Sequence, residues 1–237
     1  MFAATTIHAK YVFLDIVDFT KNRSVEAQAD IVSVLNNIVA SSITTVNLPK
    51  DNLIFIPTGD GICIALLNIE SPYDAHILTA LSIVKGIDEH NKKTENAMRA
   101  FQVRIGINSN TDNLITDING NQNLAGAGIS MASRVMDMAD GNQILVGESV
   151  FDTLRYREQY MSAFRAFSAT VKHGVQLPIY QFVSNGQCGL NTEVPQAFQV
   201  KKTDPVLVKI TAYYFAHAIR HKDFLLEKLV VVQAGEA

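Results

Sequence analysis

Apolar and polar positions change period several times along the chain. In KYVFLDIVDFT, residues 10–20, a run of apolar residues from Tyr11 to Val17 predicts a buried β-strand over 10–17. Asp15 breaks that run and Asp18 follows it. Ile31, Val34, Leu35 and Ile38 then recur at helical spacing behind Ser24, a suitable N-cap. In DNLIFIPTGDGICIALLN, two apolar stretches flank Thr58-Gly59-Asp60-Gly61, the pattern of a β-hairpin with Asp60 in its turn. SPYDAHILTALSIVKGIDEHN predicts a helix from Ser71, with Pro72 at the first helical position, to about His90. FQVRIGINSN reads as a strand, and the polar SNTDNLITDINGNQN as a loop or short hairpin. AGISMASRVMDMA predicts a helix ending near Asp140-Gly141, QILVG a strand, and ESVFDTL a short helix. Two further strands are expected from Phe164 to Val183, around a turn at Lys172-His173-Gly174.

The order β, α, β-hairpin, α, β, α, β predicts an α+β fold. It is close to a ferredoxin-like core with additions, an antiparallel-rich sheet with packed helices. Residues 1–184 are expected to form one domain and 185–237 a C-terminal extension. In the extension, GQCGLNTEVPQ reads as a linker and residues 208–229 as an amphipathic helix suited to oligomer contacts.

Composition narrows the function classes. The chain has 237 residues, 48% hydrophobic and 18% charged, which is the profile of a soluble globular protein. A net charge of −3 gives no polycationic surface for a nucleic-acid polymer. Cys63 and Cys188 form no disulfide or metal framework by spacing, which points to a reducing cytoplasm. No apolar run is long enough for a transmembrane segment, and the N-terminus lacks the apolar centre of a signal peptide. The six histidines show no metal-ligand spacing.

A carboxylate buried without a partner is costly, so Asp15 needs an explanation. Alone, an acid near a strand end is ordinary, and Asp60 alone is turn chemistry. Together they carry more weight, because the strand at 10–17 and the hairpin at 53–66 can bring both to one sheet edge. Two adjacent carboxylates repel unless a cation or proton joins them. Mg²⁺ or Mn²⁺ favours such oxygen ligands and reaches substrate phosphates at the same time. Asp18 reads as a capping or solvent-facing acid. Beyond Asp15 the chain turns into a helix, where the backbone N–H groups of Phe19 and Thr20 are placed to cradle a triphosphate. A phospho-accepting receiver domain also carries acid-tipped strands. It requires a parallel sheet, which the tight Gly59-Asp60-Gly61 hairpin opposes.

FLDIVDFT, PTGDGICIAL, VRIGIN, AGISMASRVMDMADGNQILVGESVFDTL and VKHG…IYQFV occur here in that order. Over Tyr11 to Val183 the chain thereby resembles the class III nucleotidyl cyclases. The resemblance implies a nucleotidyl cyclase catalytic domain over 1–184, working as a head-to-tail homodimer with composite sites between two copies. It implies that Asp15, Asp60 and the Ile16 carbonyl hold two Mn²⁺ or Mg²⁺ ions. Arg134 matches the arginine that stabilises the transition state, and Ser130 stands where the family usually has asparagine. Lys172 matches a phosphate-binding lysine. The acids would come from one subunit and the Arg134 and Lys172 side from the other.

The base-reading positions depart from the family. Adenylate cyclases usually carry a lysine and an acid or threonine, and guanylate cyclases a glutamate and a cysteine, where this chain has Ile56 and Asn123. Ile56 has no hydrogen-bonding group. Asn123 both donates and accepts, and so suits uracil or cytosine. The arginine usual in the hairpin after GIN is replaced, by this alignment, with Thr111. A short cyclase with such a pocket resembles the bacterial pyrimidine cyclases of anti-phage defence, which implies UTP, or else CTP, as substrate and a separate effector protein for the cyclic product. The alternatives are a divergent adenylate cyclase and an inactive nucleotide-binding domain of the same fold.

Overall fold

A computed structural model describes residues 5–171, 175–184 and 186–199. Lys172 and the stretch 208–229 lie outside the described residues. Strand β1, Thr5–Ile16, is the spine of the sheet. On one side it pairs antiparallel with β3, Gly61–Leu67, which pairs in turn with β2, Leu53–Pro57. On the other side it pairs antiparallel with β4, Val103–Thr116. Helices α1, Val25–Thr45, and α2, Ala75–Lys93, connect these strands. The resulting order β2-β3-β1-β4 is the ferredoxin-like core, and the expected α+β fold is present.

Additions extend the sheet beyond β4. A short strand β5, Gln122–Ala125, folds back on β4 as the hairpin read from the polar stretch. Helix α3, Ala127–Met136, leads to β6, Ile144–Gly147, which lies parallel to β4. After α4, Glu148–Leu154, the strands β7, Phe164–Val171, and β8, Val175–Phe182, complete the sheet.

Side-chain alternation divides the core between the two faces of β1. Val12, Leu14 and Ile16 face α1 and α2, packing with Ile31, Leu35, Ile77 and Ile83. Ala9 and Tyr11 face the other way, toward Cys63, Leu124 and Ala132 of α3. Each fully buried Leu or Ile contributes about 1.5–3 kcal/mol, so the larger cluster under α1 and α2 carries most of the stability. Helix α3 lies very close over β4 at Gly106, where any Cβ would strike the α3 backbone at Ala132 and Met136.

Several boundaries differ from the sequence reading: β1 begins at Thr5, not at Lys10, and β4 runs on to Thr116 through the first part of the polar stretch. Helix α2 starts at Ala75, not at Pro72. Asp74 does not cap it, because its carboxylate instead accepts from the Tyr160 hydroxyl at 2.7 Å and the Gln159 amide at 2.8 Å. Helix α3 stops at Met136 and tightens into i→i+3 turns through Ala139. The stretch read as a linker is packed down. The carbonyl of Glu193 accepts from the side chains of Gln143 and Gln181, and Asn191 bonds the backbone at Gly141 and Asn142. Phe198 stacks on Phe167.

Candidate active site

The C-terminal end of β1 meets the β2–β3 turn on one side and the start of β4 on the other. Asp15 stands opposite Gly61 of β3 and Arg104 of β4. The amide of Ile16 donates to the Asp60 carbonyl at 3.2 Å, which ties the turn to the strand carrying Asp15. The turn needs its glycines. Gly59 has φ +99°, and a Cβ on Gly61 would collide with the Leu14 carbonyl. Asp15, Ile16 and Asp60 are therefore brought together at one sheet edge.

The nearest partner of Asp15 is a cation of the chain itself. Arg104 Nη2 donates to Asp15 Oδ2 at 2.9 Å, and its Nε to the same oxygen at 3.3 Å. The guanidinium also lies 3.9 Å from Asp137, just beyond α3. Burial pushes the Asp15 carboxyl above its ordinary value; Arg104 pulls it back, and the neighbouring Asp60 carboxylate pushes it up again. The net direction is up. Arg104 thus offsets part of the burial cost that the sequence reading assigned to a metal ion. Sequence reasoning missed this residue. Its one signal is an arginine inside the apolar strand QVRIGIN, which acquires meaning only from the β1–β4 register.

The oxygen donors fit a hard divalent cation. Two carboxylates and a main-chain carbonyl suit Mg²⁺ and Mn²⁺ alike, and a carboxylate whose ionised form is disfavoured by its surroundings gains most from a bound cation. Among the described residues, no cluster of three or more His, Cys, Asp or Glu side chains offers a rival metal site.

Beyond Ile16 the chain enters a turn closed by the Lys21 amide on the Asp18 carbonyl. Asp18 sits at φ +52°, is exposed, and pairs with Lys21 at 3.1 Å, a solvent-facing role. Arg23 pins the turn from behind by donating to the carbonyls of Asp18, Phe19, Met98 and Ala100. Phe19 packs against the main core while Thr20 is exposed. Their amides lie inside this turn, directly before α1, whose N-cap Ser24 accepts from Ala27 N at 3.2 Å.

The remaining candidates lie on three elements, β2, β5 and α3. Ile56 pairs with Cys63, and Cys63 pairs with Phe13 on its far side, so these three form a row two residues behind the acids. All three belong to the apolar cluster on the α3 face. Asn123 lies on β5, with its side-chain oxygen accepting from the Leu124 amide at 2.7 Å. Its neighbour Leu124 is the β5 residue that enters the Ile56 cluster. Ser130 and Arg134 are both exposed on α3, one helical turn apart and so on one face.

The family model for the adenylate and guanylate cyclase catalytic domain matches residues 4–183. The chain belongs to that family. Solved cyclase domains share its fold. The guanylate cyclase domain of RhGC from Catenaria anguillulae, in complex with GTP, is 18% identical, with a TM-score of 0.58 over 76% of this chain and 99% of that one. The adenylyl cyclase CyaB from P. aeruginosa is 14% identical, with a TM-score of 0.62 over 78% and 98%. An adenylate/guanylate cyclase/hydrolase from Silicibacter pomeroyi is 17% identical, with a TM-score of 0.58 over 77% and 99%. No curated protein matches the chain. No helix among the described residues of this cyclase domain is long and apolar enough to cross a membrane.

Proposed function

We propose that this cyclase domain converts a pyrimidine nucleoside triphosphate, UTP in preference to CTP, to its 3′,5′-cyclic monophosphate and pyrophosphate. The observation that carries the base assignment is Ile56. It stands at a base-reading position, packed in an apolar cluster beside the acids, where it offers no hydrogen bond to a purine edge. Asn123 supplies the polar contact, its amide turning either way to meet uracil or cytosine.

The chain's own residues divide the work. Asp15, Asp60 and the Ile16 carbonyl hold two divalent cations, Mn²⁺ or Mg²⁺. When bound, these ions supply Lewis acidity toward the ribose 3′-hydroxyl and neutralise the leaving pyrophosphate. The turn at Phe19 and Thr20 offers backbone amides to the triphosphate. Arg104, beside Asp15, adds a fixed positive charge at this end of the site that would favour a phosphate oxygen. Two copies pair head to tail. The partner subunit's Arg134 places fixed positive charge beside the α-phosphate, with the partner's Ser130 on the same helix face and the partner's Lys172 on the phosphates. Ribose O3′ gives up its proton to solvent and attacks the α-phosphorus in line, the new O–P bond forming as the O–P bond to pyrophosphate breaks. Holding the reacting atoms in that line and neutralising charge supply most of the acceleration.

The product is a diffusible signal, read in this proposal by a separate effector protein in antiviral defence in the cytoplasm. Incubation with each of UTP, CTP, ATP and GTP in Mn²⁺, with products identified by mass, tests the reading. A cyclic pyrimidine monophosphate is expected. Cyclic AMP as the sole product would overturn the base assignment.

A further inference from the structure

A second buried acid lies outside the metal site. Asp112, on β4, is 4% exposed, and among the described residues no Lys, Arg or His forms an ion pair with it. Three donors converge on its carboxylate: the Tyr11 hydroxyl at 2.5 Å, the Gly128 amide at 3.1 Å and the Asn110 side-chain amide at 2.5 Å. Burial and the adjacent carboxylate push the Tyr11 phenol up, so it stays a neutral donor. The Gly128 amide belongs to the first turn of α3, so the carboxylate sits where helix N–H groups lack intrahelical partners and the helix dipole favours negative charge.

The position of this carboxylate gives it a further role. It touches the junction between β5 and α3. A Cβ on Gly126 or Gly128 would overlap its oxygens, so the chain approaches it as closely as backbone can. On one side of the junction lies Asn123, three residues before Gly126. On the other side α3 carries Ser130 and Arg134. Tyr11 in turn sits four residues before Asp15 on the same strand and the same face. One carboxylate thus links the strand that bears a metal acid to the segment that bears the base-reading and transition-state positions. At the other end of α3 the close approach over Gly106 prevents the helix from shifting toward the sheet.

We propose that Asp112 is a positioning residue for the cyclase reaction. Through Tyr11 and Gly128 it fixes the β5–α3 junction, and so the placement of Asn123 and Arg134 relative to the nucleotide. This rests on the cyclase reading above. The carboxylate touches no reacting atom.

Asp112→Asn in the full chain is the informative variant. It keeps the shape but turns one acceptor into a donor, which must then face either Asn110 or Tyr11 and Gly128. Tyr11→Phe removes a single donor and serves where the first variant does not fold. The expected result is a kcat lowered by about ten-fold or more, since small misplacements of a reacting group are costly. KM for the triphosphate changes far less, discrimination between bases narrows, and amide exchange quickens at residues 126–132. Tyr11→Phe moves the same readouts in the same direction by less. Wild-type kcat and base discrimination in a variant whose junction exchanges faster would overturn the proposal, as would unchanged exchange at 126–132. A wild-type protein that turns over no triphosphate overturns the function proposed above; the exchange comparison then decides by itself whether Asp112 holds the junction.

Discussion

Asp15 and Arg104 are direct partners across the β1–β4 ladder, joined by two hydrogen bonds from one guanidinium to one carboxylate oxygen. The pair explains how an acid survives at the end of an apolar strand. Both bonds end on Oδ2, so Oδ1 keeps its acceptor sites for a further partner.

Substituting Asp15 therefore separates function from stability. Its folded carboxyl lies above its unfolded value. Its contribution to stability is thus complete below the unfolded pKa and is lost as pH rises through the folded one. At neutral pH the ionised acid is a net cost, and Asp15→Asn removes it. Turnover is expected to fall by about 100-fold or more, while the thermal midpoint at pH 7 stays equal to or above wild type. A midpoint well below wild type would contradict this account of the pair.

The base assignment predicts a switch. Ile56→Lys places a donor in the row behind the acids. It is expected to raise ATP turnover relative to UTP by about ten-fold, the scale of one net hydrogen bond. Competition between the two triphosphates in one reaction measures the ratio directly. No change in the ratio would remove Ile56 from the base pocket.

The composite site predicts complementation. Asp60→Ala and Arg134→Ala are each expected to be inactive. In an equal mixture half of the dimers carry both variants, each with one intact site, so activity returns to about a quarter of wild type. A mixture as inactive as its components would rule out sites shared between copies.

His76, in the first turn of α2, is fully buried, and neither ring nitrogen has a hydrogen-bond partner among the described residues. Burial lowers its pKa to about 3, with Lys10 and His8 adding to the shift. The folded protein holds it neutral, so its contribution is complete above the unfolded value near 6.5 and is lost as pH falls toward 3. Between those values stability should decline at a limiting slope of about 1.4 kcal/mol per pH unit. Denaturant titrations from pH 7 to 4 check this, and His76→Leu should flatten the curve.

Much of this architecture was legible because its signals are local. Ser24 caps α1, the Thr-Gly-Asp-Gly turn joins β2 to β3, and the apolar run through Leu14 forms β1. The juxtaposition of Asp15 with Asp60 followed from pairing those neighbours. What stayed hidden depends on partners distant in sequence. Arg104 meets Asp15 across 89 positions, and Asp112 meets Tyr11 across 101. Arg104 in its strand, and Asp112 in a polar stretch read as a loop or short hairpin, carry no sign of these partners until the register is known. The start of α2 was misplaced for the same reason: Asp74 is drawn to Tyr160 and Gln159, 86 and 85 residues away, instead of capping its own helix.

The central claim is cation-dependent cyclisation at the Asp15–Asp60 edge. The most direct measurement is the mass of the product formed from UTP and Mn²⁺ by wild type and by Asp60→Ala. The account predicts cyclic UMP and pyrophosphate from the first and neither from the second. Equal product from both proteins would contradict it, as would a wild type that binds UTP tightly and releases no pyrophosphate.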